Sequence, residues 1–358
     1  MPRVCLLDPS ITSRDGAPPG NLGDLIIRQA VVRDLLELLP GYDWASVPTQ
    51  RPLTADELEI AAASDLLLVG GTNLLSSHMQ QYRQWHISPA EATRLQRVVL
   101  MGAGWWQYQD DPDDYTRSVL LSALSPDFPQ SVRDNYTSQK LRRIGLTNVI
   151  NTGCPTMWHL TPDLLSEIPT SKADDVLLML TDYNKNRPLD RQLLDLLFSQ
   201  YQRVYFWPQG EFDAKYLAEF SMPAIQLDRS LAALEQLLQR RDPIDCIGTR
   251  LHGGIKCLEH GRRTLVLGID NRATEIAADT GLPVIPRGDF DSLRTWIAGS
   301  EPVQMRIDFK AIARWKQELS SHFDSEEKKF EPLRHEDTKR VSTLGSKLAM
   351  SGFEIRIH

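Results

Sequence analysis

Residues 246–261, CIGTRLHGGIKCLEHG, place a fixed cation and a titratable imidazole between an apolar strand pattern and a helical one. Arg250 carries a fork-shaped guanidinium that suits carboxylate or phosphate, and His252 can give or take a proton near neutral pH. The free N–H groups at the start of the predicted helix attract anions, and Gly253 and Gly254 would let a ligand approach the backbone closely. The pattern indicates an anion site with a proton-transfer group. The alternative is that the glycines only pack the helix on a sheet and that Arg250 forms a structural ion pair.

A second cation, Arg133, stands in the same kind of place. The stretch SVRDNYTSQKLRRIG predicts a short strand, a turn that contains Arg133, and a helix ended by Gly145. Asp134 is interpreted as a helix cap or as the partner of the arginine. Arg133 and Arg250 could therefore face one ligand from opposite walls of a cleft, and a small di- or trianion would fit between them.

Two further glycine turns belong to the same predicted surface. NLGD places Gly23 and Asp24 at the start of the first long helix, where Asp24 either contributes to a substrate site or simply complements the helix dipole. GGTN follows an apolar strand and offers Gly71 and Asn73. We expect these residues to line a substrate-binding surface at the carboxyl ends of the strands.

The stretch MGAGWW adds Gly104 and two tryptophans to this surface. Aromatic faces suit the apolar face of a pyranose, so Trp105 and Trp106 are candidates for stacking on a sugar. The alternative is that the pair packs in the core.

A third cation follows the next strand of the second half. DNRATEI offers Asn271 and Arg272 at another strand end and helix start. Arg272 is interpreted as a further anion ligand, or else as the partner of Glu275 or Asp279 on the same helix. The acidic run QDDPDDY is typical of a solvated loop, and we predict no metal.

All these residues follow short apolar runs that alternate with helical patterns. Such alternation predicts an α/β fold with parallel sheets covered by helices. The chain contains two such series, which predict an N-terminal Rossmann-like domain over residues 1–165 and a C-terminal one over residues 170–300. Residues 301–358 are expected to form a helical segment and a charged tail, which either stays solvated or crosses back to the first domain. Because ligands bind at the carboxyl ends of strands in open sheets, we expect the site in the cleft between the domains.

Composition argues against several classes of function. The 358 residues are 41% hydrophobic and 24% charged with a formal net charge of −7, so no overall basic field would recruit nucleic acid. Four cysteines in a chain of this length form neither a disulfide framework nor a zinc motif. The sequence has no pattern of a signal peptide and no window apolar enough to span a membrane. We therefore expect a cytoplasmic protein.

Taken in order, these motifs resemble the polysaccharide pyruvyl transferase family over roughly residues 4–287. The likeness rests on NLGD, GGTN, MGAG, SVRDNYTSQKLRRIG, TGCPT, and GTRLHGGIKCLEHG followed by TLVLGIDN. RLHG together with the upstream VRD is its most specific part. The resemblance implies two Rossmann-like domains facing across a cleft, as in glycosyltransferase-B-type proteins, with the acceptor on the first domain and phosphoenolpyruvate on the second.

The resemblance also implies an activity. Members of the family transfer the pyruvyl group of phosphoenolpyruvate to a sugar of a polysaccharide or its lipid-linked precursor, which gives a ketal. Phosphoenolpyruvate is the donor substrate and no cofactor is implied. Arg133, Arg250, Leu251 and His252 match the positions that hold phosphoenolpyruvate. Such an enzyme would be cytoplasmic, or peripheral at the inner membrane face where the acceptor is lipid-linked; the oligomeric state is not predicted.

One departure from the family pattern concerns the third cation. The family often carries a lysine where this chain has Asn271 and Arg272, so the positive charge is kept with a different geometry. Bound anions would raise the pKa of His252, which makes it the candidate general acid; Asp24 and Asp134 are candidates for the base. Two alternatives stay open: a nucleotide-sugar glycosyltransferase of the same fold, and a non-catalytic glycan-binding relative.

Overall fold

The computed structural model describes residues 3–13 and 16–327. Within them the molecule is built on parallel β-sheets covered by helices, and the predicted α/β fold class is confirmed. The charged stretch predicted as a tail, residues 322–358, lies outside the described residues from residue 328 onward.

The first half of the chain forms a sheet of four parallel strands in the order β2-β1-β3-β4 and a parallel pair, β5-β6, beside it. A bridge between Ala103 and Val132 links the pair to the end of β4. The chain runs from β1 outward to β2, then crosses back to the other side of β1 to form β3 and continues outward to β4. The strand order therefore reverses between β1 and β3. The bounds are β1 (Arg3–Asp8), β2 (Asp43–Pro48), β3 (Leu66–Gly70), β4 (Val98–Met101), β5 (Gln130–Val132) and β6 (Val149–Asn151).

The second half forms a six-stranded sheet in the order β12-β11-β10-β7-β8-β9. Every strand pair is parallel, and every residue of both β7 and β10 is buried, because helices cover both faces. In this sheet the strand order reverses between β7 and β10. The bounds are β7 (Asp175–Met179), β8 (Arg203–Phe206), β9 (Ile225–Gln226), β10 (Ile244–Gly248), β11 (Thr264–Gly268) and β12 (Val284–Pro286).

Most connections between strands are helical, and many helices begin at a side-chain cap. Thr54 and Ser88, for example, open their helices with reciprocal capping boxes. The bounds are α1 (Gly23–Leu38), α2 (Ala55–Ala62), α3 (Pro89–Leu95), α4 (Asp114–Ala123), α5 (Asn135–Arg143), α6 (Pro162–Ser166), α7 (Arg187–Gln200), α8 (Asp213–Ala218), α9 (Leu231–Leu238), α10 (Leu251–Glu259), α11 (Asn271–Thr280), α12 (Phe290–Ala298) and α13 (Phe309–Glu327).

Helix α13 packs on the first sheet although it follows the second. Ile312, Trp315 and Leu319 share an apolar cluster with the strands of the first half. The indole Nε1 of Trp315 donates to the carbonyl oxygen of Pro129 at 2.9 Å, and its ring lies 5.7 Å from that of Trp158. The chain thus returns to the first half after completing the second.

Two sets of contacts join the halves on the carboxyl side of the strands. Asn21 forms an antiparallel bridge with Gly210, and the Leu22 amide donates to the Gln209 carbonyl at 3.0 Å. The second set converges on Asp279. Its carboxylate accepts hydrogen bonds from the backbone and side-chain nitrogens of Asn135, both at 2.7 Å, and from the Asn151 amide at 2.8 Å. The segments that follow the strands of both sheets are therefore held against each other.

No helix among residues 3–13 and 16–327 is both long enough and apolar enough to cross a bilayer.

Candidate active site

His252 lies in the first turn of α10, where the two halves of the molecule meet. Its ring is almost fully buried, and its Nε2 lies 3.8 Å from the sulfur of Cys154, which follows β6 in the first half. Parallel sheets bind ligands where the strand order reverses, and α10 starts at such a point, beside β7 and β10. His252 is therefore an interfacial residue at the place where the fold favours a ligand.

The protein's own groups keep the imidazole of His252 neutral. Burial, followed by the nearby charges of Arg272 and Arg133, lowers its pKa to about 3, and Asp270 acts weakly in the opposite direction. The positive charges of two guanidiniums from different halves of the chain thus both lower the pKa of one imidazole. This shift is opposite to the one that bound anions were expected to cause from the sequence, because burial and the two cations both disfavour the protonated ring.

Arg133 is 1% exposed, and its charge acts on His252 and Asp270 of the second half. Its Nε donates to Asp134 at 3.1 Å and its Nη2 to the Trp105 carbonyl at 3.5 Å. Its Nη1 is buried and has no hydrogen-bond partner among the described residues. A Cβ on Gly104 would lie 2.2 Å from this guanidinium, so the glycine is needed for Arg133 to lie on the backbone there.

Both interpretations of Asp134 are correct. Its Oδ1 accepts from the backbone nitrogen and the hydroxyl of Thr137 at 2.7 and 2.6 Å, which caps α5, while its Oδ2 accepts from Arg133. The carboxylate is therefore committed to the cap and to the arginine, which argues against its role as a base.

Arg250 forms the structural ion pair that the sequence left as an alternative. Its Nε donates to Asp213 at 2.9 Å and its Nη2 to Asp182 at 3.0 Å, and Nη2 also contacts Asp213. The guanidinium and the Asp213 carboxylate are nearly fully buried, and the Asp182 side chain is 20% exposed. Its charge is largely balanced inside the second half, which makes it a weaker anion ligand than expected.

The other residues of the RLHG motif are used for packing. Leu251 belongs to an apolar cluster with Cys154 and Met157. A Cβ on Gly253 would lie 2.5 Å from the sulfur of Met179, and one on Gly254 would lie 2.7 Å from Val266. These glycines bring α10 close to the sheet instead of opening the backbone to a ligand. The helix itself begins without a side-chain cap, so its first N–H groups are available to an anion.

Arg272 and Asn271 open α11 and face the first half. Arg272, 18% exposed, pairs with Asp270 through its Nε at 3.1 Å and contacts the hydroxyl of Tyr183. Its expected alternative partners lie elsewhere: Glu275 accepts from Tyr108 and Asp279 from the first half. Asn271 donates to the Trp105 carbonyl at 3.2 Å.

Asp24 lies in the first turn of α1, at the direction change between β1 and β3. It is 7% exposed, and the Thr72 hydroxyl donates to its Oδ1 at 3.2 Å. Burial raises its pKa to about 7, against the smaller opposing effects of Thr72, Arg272 and Arg250. The charges of the second half therefore reach a carboxyl group of the first.

Gly23 and Gly71, near Asp24, are required for close backbone packing. Gly23 packs against the Gln209 side chain of the second half, where a Cβ would lie 2.8 Å from the amide nitrogen. Gly71 turns the chain after β3 with a φ of 68° and leaves no room for a Cβ beside Ile27. Both shape the interface without offering a ligand group of their own.

The interpretation of Trp105 as a sugar-stacking residue is wrong, and its alternative, packing in the core, is correct. Its ring is fully buried, and its Nε1 donates to Ser77 and Gln109 at 3.3 and 3.2 Å. Trp106 is partly buried, and its ring lies 4.9 Å from that of Tyr82. Asn73 donates to the Trp106 carbonyl at 3.4 Å. Trp105 contributes to the interface through its carbonyl oxygen, which accepts from Arg133 and Asn271.

Eight buried polar atoms without a partner in the described part of the chain lie within three residues after a strand. Three of them, Thr49 Oγ1, Arg51 Nε and Arg229 Nε, follow the edge strands β2 and β9, and the other five are Asn73 Oδ1, Arg133 Nη1, Thr181 Oγ1, Gln209 Oε1 and Asn271 Oδ1. Buried polar groups are normally hydrogen-bonded, so these five are open to hydrogen bonds from a ligand. The sequence did not point to Thr181 and Gln209, although both follow predicted strands.

One group of side chains among the described residues has the spacing of metal ligands: Asp34, Glu37 and His159, whose ligand atoms lie within 4.8 Å of one another. The ammonium of Lys316 donates to Asp34. A bound cation would compete with this lysine, and in the structure the group joins α13 to α1.

The chain was compared with known proteins. No curated protein matches it. Among solved structures, it is similar to Arabidopsis thaliana UGT89C1 complexed with UDP-L-rhamnose, with 10% identity and a TM-score of 0.41 over 89% of this chain and 93% of that one. A likeness this distant adds nothing to the argument about function.

The family comparison covers the segments that build the site. A family model described as polysaccharide pyruvyl transferase matches residues 21–271. The match begins in the loop before α1 and ends at Asn271, at the start of α11. It includes Asp24 in the first turn of α1, Arg133 and His252. The chain therefore belongs to the polysaccharide pyruvyl transferase family.

Proposed function

We propose that the chain is a pyruvyltransferase that moves the pyruvyl group of phosphoenolpyruvate to two hydroxyls of one sugar in a polysaccharide or its precursor, forming a ketal. The observation that supports this most is that residues of both halves converge here: Arg133 and Asn271 donate to one oxygen, the Trp105 carbonyl, and His252 of the second half lies 3.8 Å from Cys154 of the first. The charges of Arg133 and Arg272 both act on the imidazole of His252. Phosphoenolpyruvate carries a carboxylate and a phosphate on adjacent atoms. Two guanidiniums and the uncapped start of α10 suit this pair of anions.

The unpartnered polar atoms fall into two chemical kinds. Arg133 Nη1 and the Thr181 hydroxyl can donate, and they suit the oxygens of the donor substrate. The amide oxygens of Asn73, Gln209 and Asn271 can accept, and they suit the hydroxyls of a sugar. A site with both kinds fits an anionic donor and a carbohydrate acceptor together.

The reaction needs a proton on the donor before the sugar can add. Protonation of the vinyl carbon makes C2 electrophilic, a sugar hydroxyl adds to C2, phosphate leaves, and a second hydroxyl closes the ketal. His252 is proposed to give the first proton. Because the donor anions offset the charges of Arg133 and Arg272, binding raises the pKa of the imidazole, which takes up a proton and transfers it.

No cofactor enters this scheme. The acceptor can be lipid-linked, in which case the enzyme would act in the cytoplasm and peripherally at the inner face of the membrane.

The test is phosphate release from phosphoenolpyruvate with a panel of glycosides, with mass spectrometry of the product. Phosphoenolpyruvate should raise the melting temperature and UDP should not. His252→Ala should lower turnover by about 10²–10⁴-fold while the donor still binds. Stabilisation by UDP alone would favour a nucleotide-sugar glycosyltransferase, and glycan binding without phosphate release would favour a non-catalytic relative.

A further inference from the structure

Asp24 differs from the other buried carboxylates around the cleft. Asp8 pairs with Arg28 at 2.7 Å, and Asp213 and Asp270 each pair with an arginine. Within the described residues, no Lys, Arg or His nitrogen lies within salt-bridge distance of Asp24, and its carboxyl accepts from Thr72. A carboxyl that is buried without a cation of its own is costly to keep ionised, which requires an explanation.

The charges that face Asp24 come from three elements. Arg272 on α11 and Arg250 at the start of α10 reach it from the second half, and Asp8 at the end of β1 reaches it from the first. Arg272 also bears on His252. Direct contacts also connect Asp24 to the site: Thr72, which donates to Asp24, accepts from the Gly104 amide at 2.8 Å, and Gly104 lies against the Arg133 guanidinium. Asp24 and His252 are thus two titratable groups from different halves of the molecule that share the influence of Arg272.

We propose that Asp24 is the second proton-transfer residue of the cleft: it protonates the phosphate oxygen as the bond from C2 to that oxygen breaks, and then accepts the proton of the hydroxyl that closes the ketal. This inference rests on the proposed function. A pKa of about 7 places the carboxyl between its two forms at neutral pH, and a bound donor anion raises that pKa further. Asp24 therefore enters the reaction protonated.

The protons of the whole reaction balance with these two residues. The vinyl carbon and the departing phosphate each take one proton, and the two sugar hydroxyls each release one. His252 gives its proton to carbon and recovers one from the first hydroxyl. Asp24 gives its proton to phosphate and recovers one from the second hydroxyl. Both residues end the cycle as they began it, and no atom is oxidised or reduced.

The experiment compares wild type with Asp24→Asn, which keeps the side-chain oxygen that accepts from Thr72. Calorimetry with phosphoenolpyruvate should give a dissociation constant within a few-fold of wild type. Phosphate release should fall by about 10²–10⁴-fold, as expected for the loss of a proton-transfer group. In wild type, kcat/KM should fall more steeply above about pH 7, where loss of the Asp24 proton adds to the proton that His252 must take up, and the residual activity of the variant should lack that added steepness.

Asp8→Asn is the matched second variant. The charge of Asp8 raises the pKa of Asp24, so its removal should move this steeper decline in kcat/KM to lower pH while kcat at pH 6 is kept. An active wild type with an Asp24→Asn variant within tenfold of it would overturn this inference alone. If Asp24→Asn does not fold, an unshifted profile in Asp8→Asn overturns it. A wild type that neither binds phosphoenolpyruvate nor releases phosphate would overturn the proposed function and this inference with it.

Discussion

Arg133 of the first half and Asn271 of the second donate hydrogen bonds to the same acceptor, the carbonyl oxygen of Trp105, at 3.5 and 3.2 Å. Each of the two side chains also keeps one buried polar atom without a partner in the described structure, Nη1 and Oδ1. One backbone oxygen thus holds side chains from both halves together. Their remaining polar atoms are left to a ligand.

Arg133→Lys tests the anion-binding role of this guanidinium. Lysine keeps the charge but loses the planar fork, and a hydrogen bond to a charged group contributes about 1.5–3 kcal/mol. We therefore expect phosphoenolpyruvate to bind roughly 10–100-fold more weakly. Titration calorimetry measures the change, and Arg191→Lys, at an exposed ion pair on α7, is the control. Equal dissociation constants for Arg133→Lys and wild type would contradict the prediction.

Donor binding should be coupled to proton uptake at His252. The imidazole is neutral at pH 7.5 because burial, followed by the charges of Arg272 and Arg133, lowers its pKa to about 3. The anions of phosphoenolpyruvate would offset the part of this shift that the two guanidiniums cause. Calorimetry in buffers with different ionisation enthalpies gives the number of protons taken up. We expect His252→Gln to take up fewer protons than wild type, by up to about one per donor bound. Identical uptake in the two proteins would show that His252 does not titrate on binding.

Asp24→Asn should stabilise the fold in alkaline solution. The folded protein holds the Asp24 proton up to a pKa of about 7, whereas the unfolded chain releases it near the ordinary aspartate pKa of 3.8. The folded state therefore binds more protons between these values, and stability falls as pH rises, by up to about 1.4 kcal/mol per pH unit. Asparagine removes this cost, so its advantage should be absent near pH 4 and full at pH 8. Urea unfolding across this range measures it, and an Asp24→Asn variant less stable than wild type at pH 8 would disprove the argument.

Asp279→Ala should loosen the contact between the halves. Its carboxylate accepts three hydrogen bonds from Asn135 and Asn151, and a typical bond contributes about 1 kcal/mol. We expect the KM for phosphoenolpyruvate to rise several-fold and the radius of gyration in X-ray scattering to increase. Asp291→Ala, at a fully exposed side chain on α12, is the control. Unchanged scattering and KM in Asp279→Ala would mean that this contact does not set the spacing of the two halves.

The local patterns of the sequence predict most of the strands but not β2, and they predict the turns that follow the strands and the position of His252 at a strand-to-helix junction. These features depend on neighbouring residues: apolar runs, glycines and caps. The convergence of Arg133 with His252 could also be anticipated, because parallel strands bring their carboxyl ends to one edge.

The partners of buried charges could not be predicted in the same way. Arg250 is balanced by Asp182 and Asp213, which lie far from it in the chain and follow other strands. Trp105 looked like a sugar platform because nothing in its local pattern distinguishes an exposed indole from a buried one. Thr72, the partner of Asp24, was visible within GGTN, but the pairing depends on how α1 packs beside β3. Long-range packing decides each of these roles.

Helix α13 has a mechanical consequence. This helix returns to the first sheet and is held there by Trp315 and Lys316. The polypeptide therefore passes between the two halves twice, once before β7 and once after α12. A pair of covalent tethers resists twisting and leaves bending about the line that joins them as the softest relative displacement. The shape of the chain therefore favours a hinge about that line over any twisting of one half against the other.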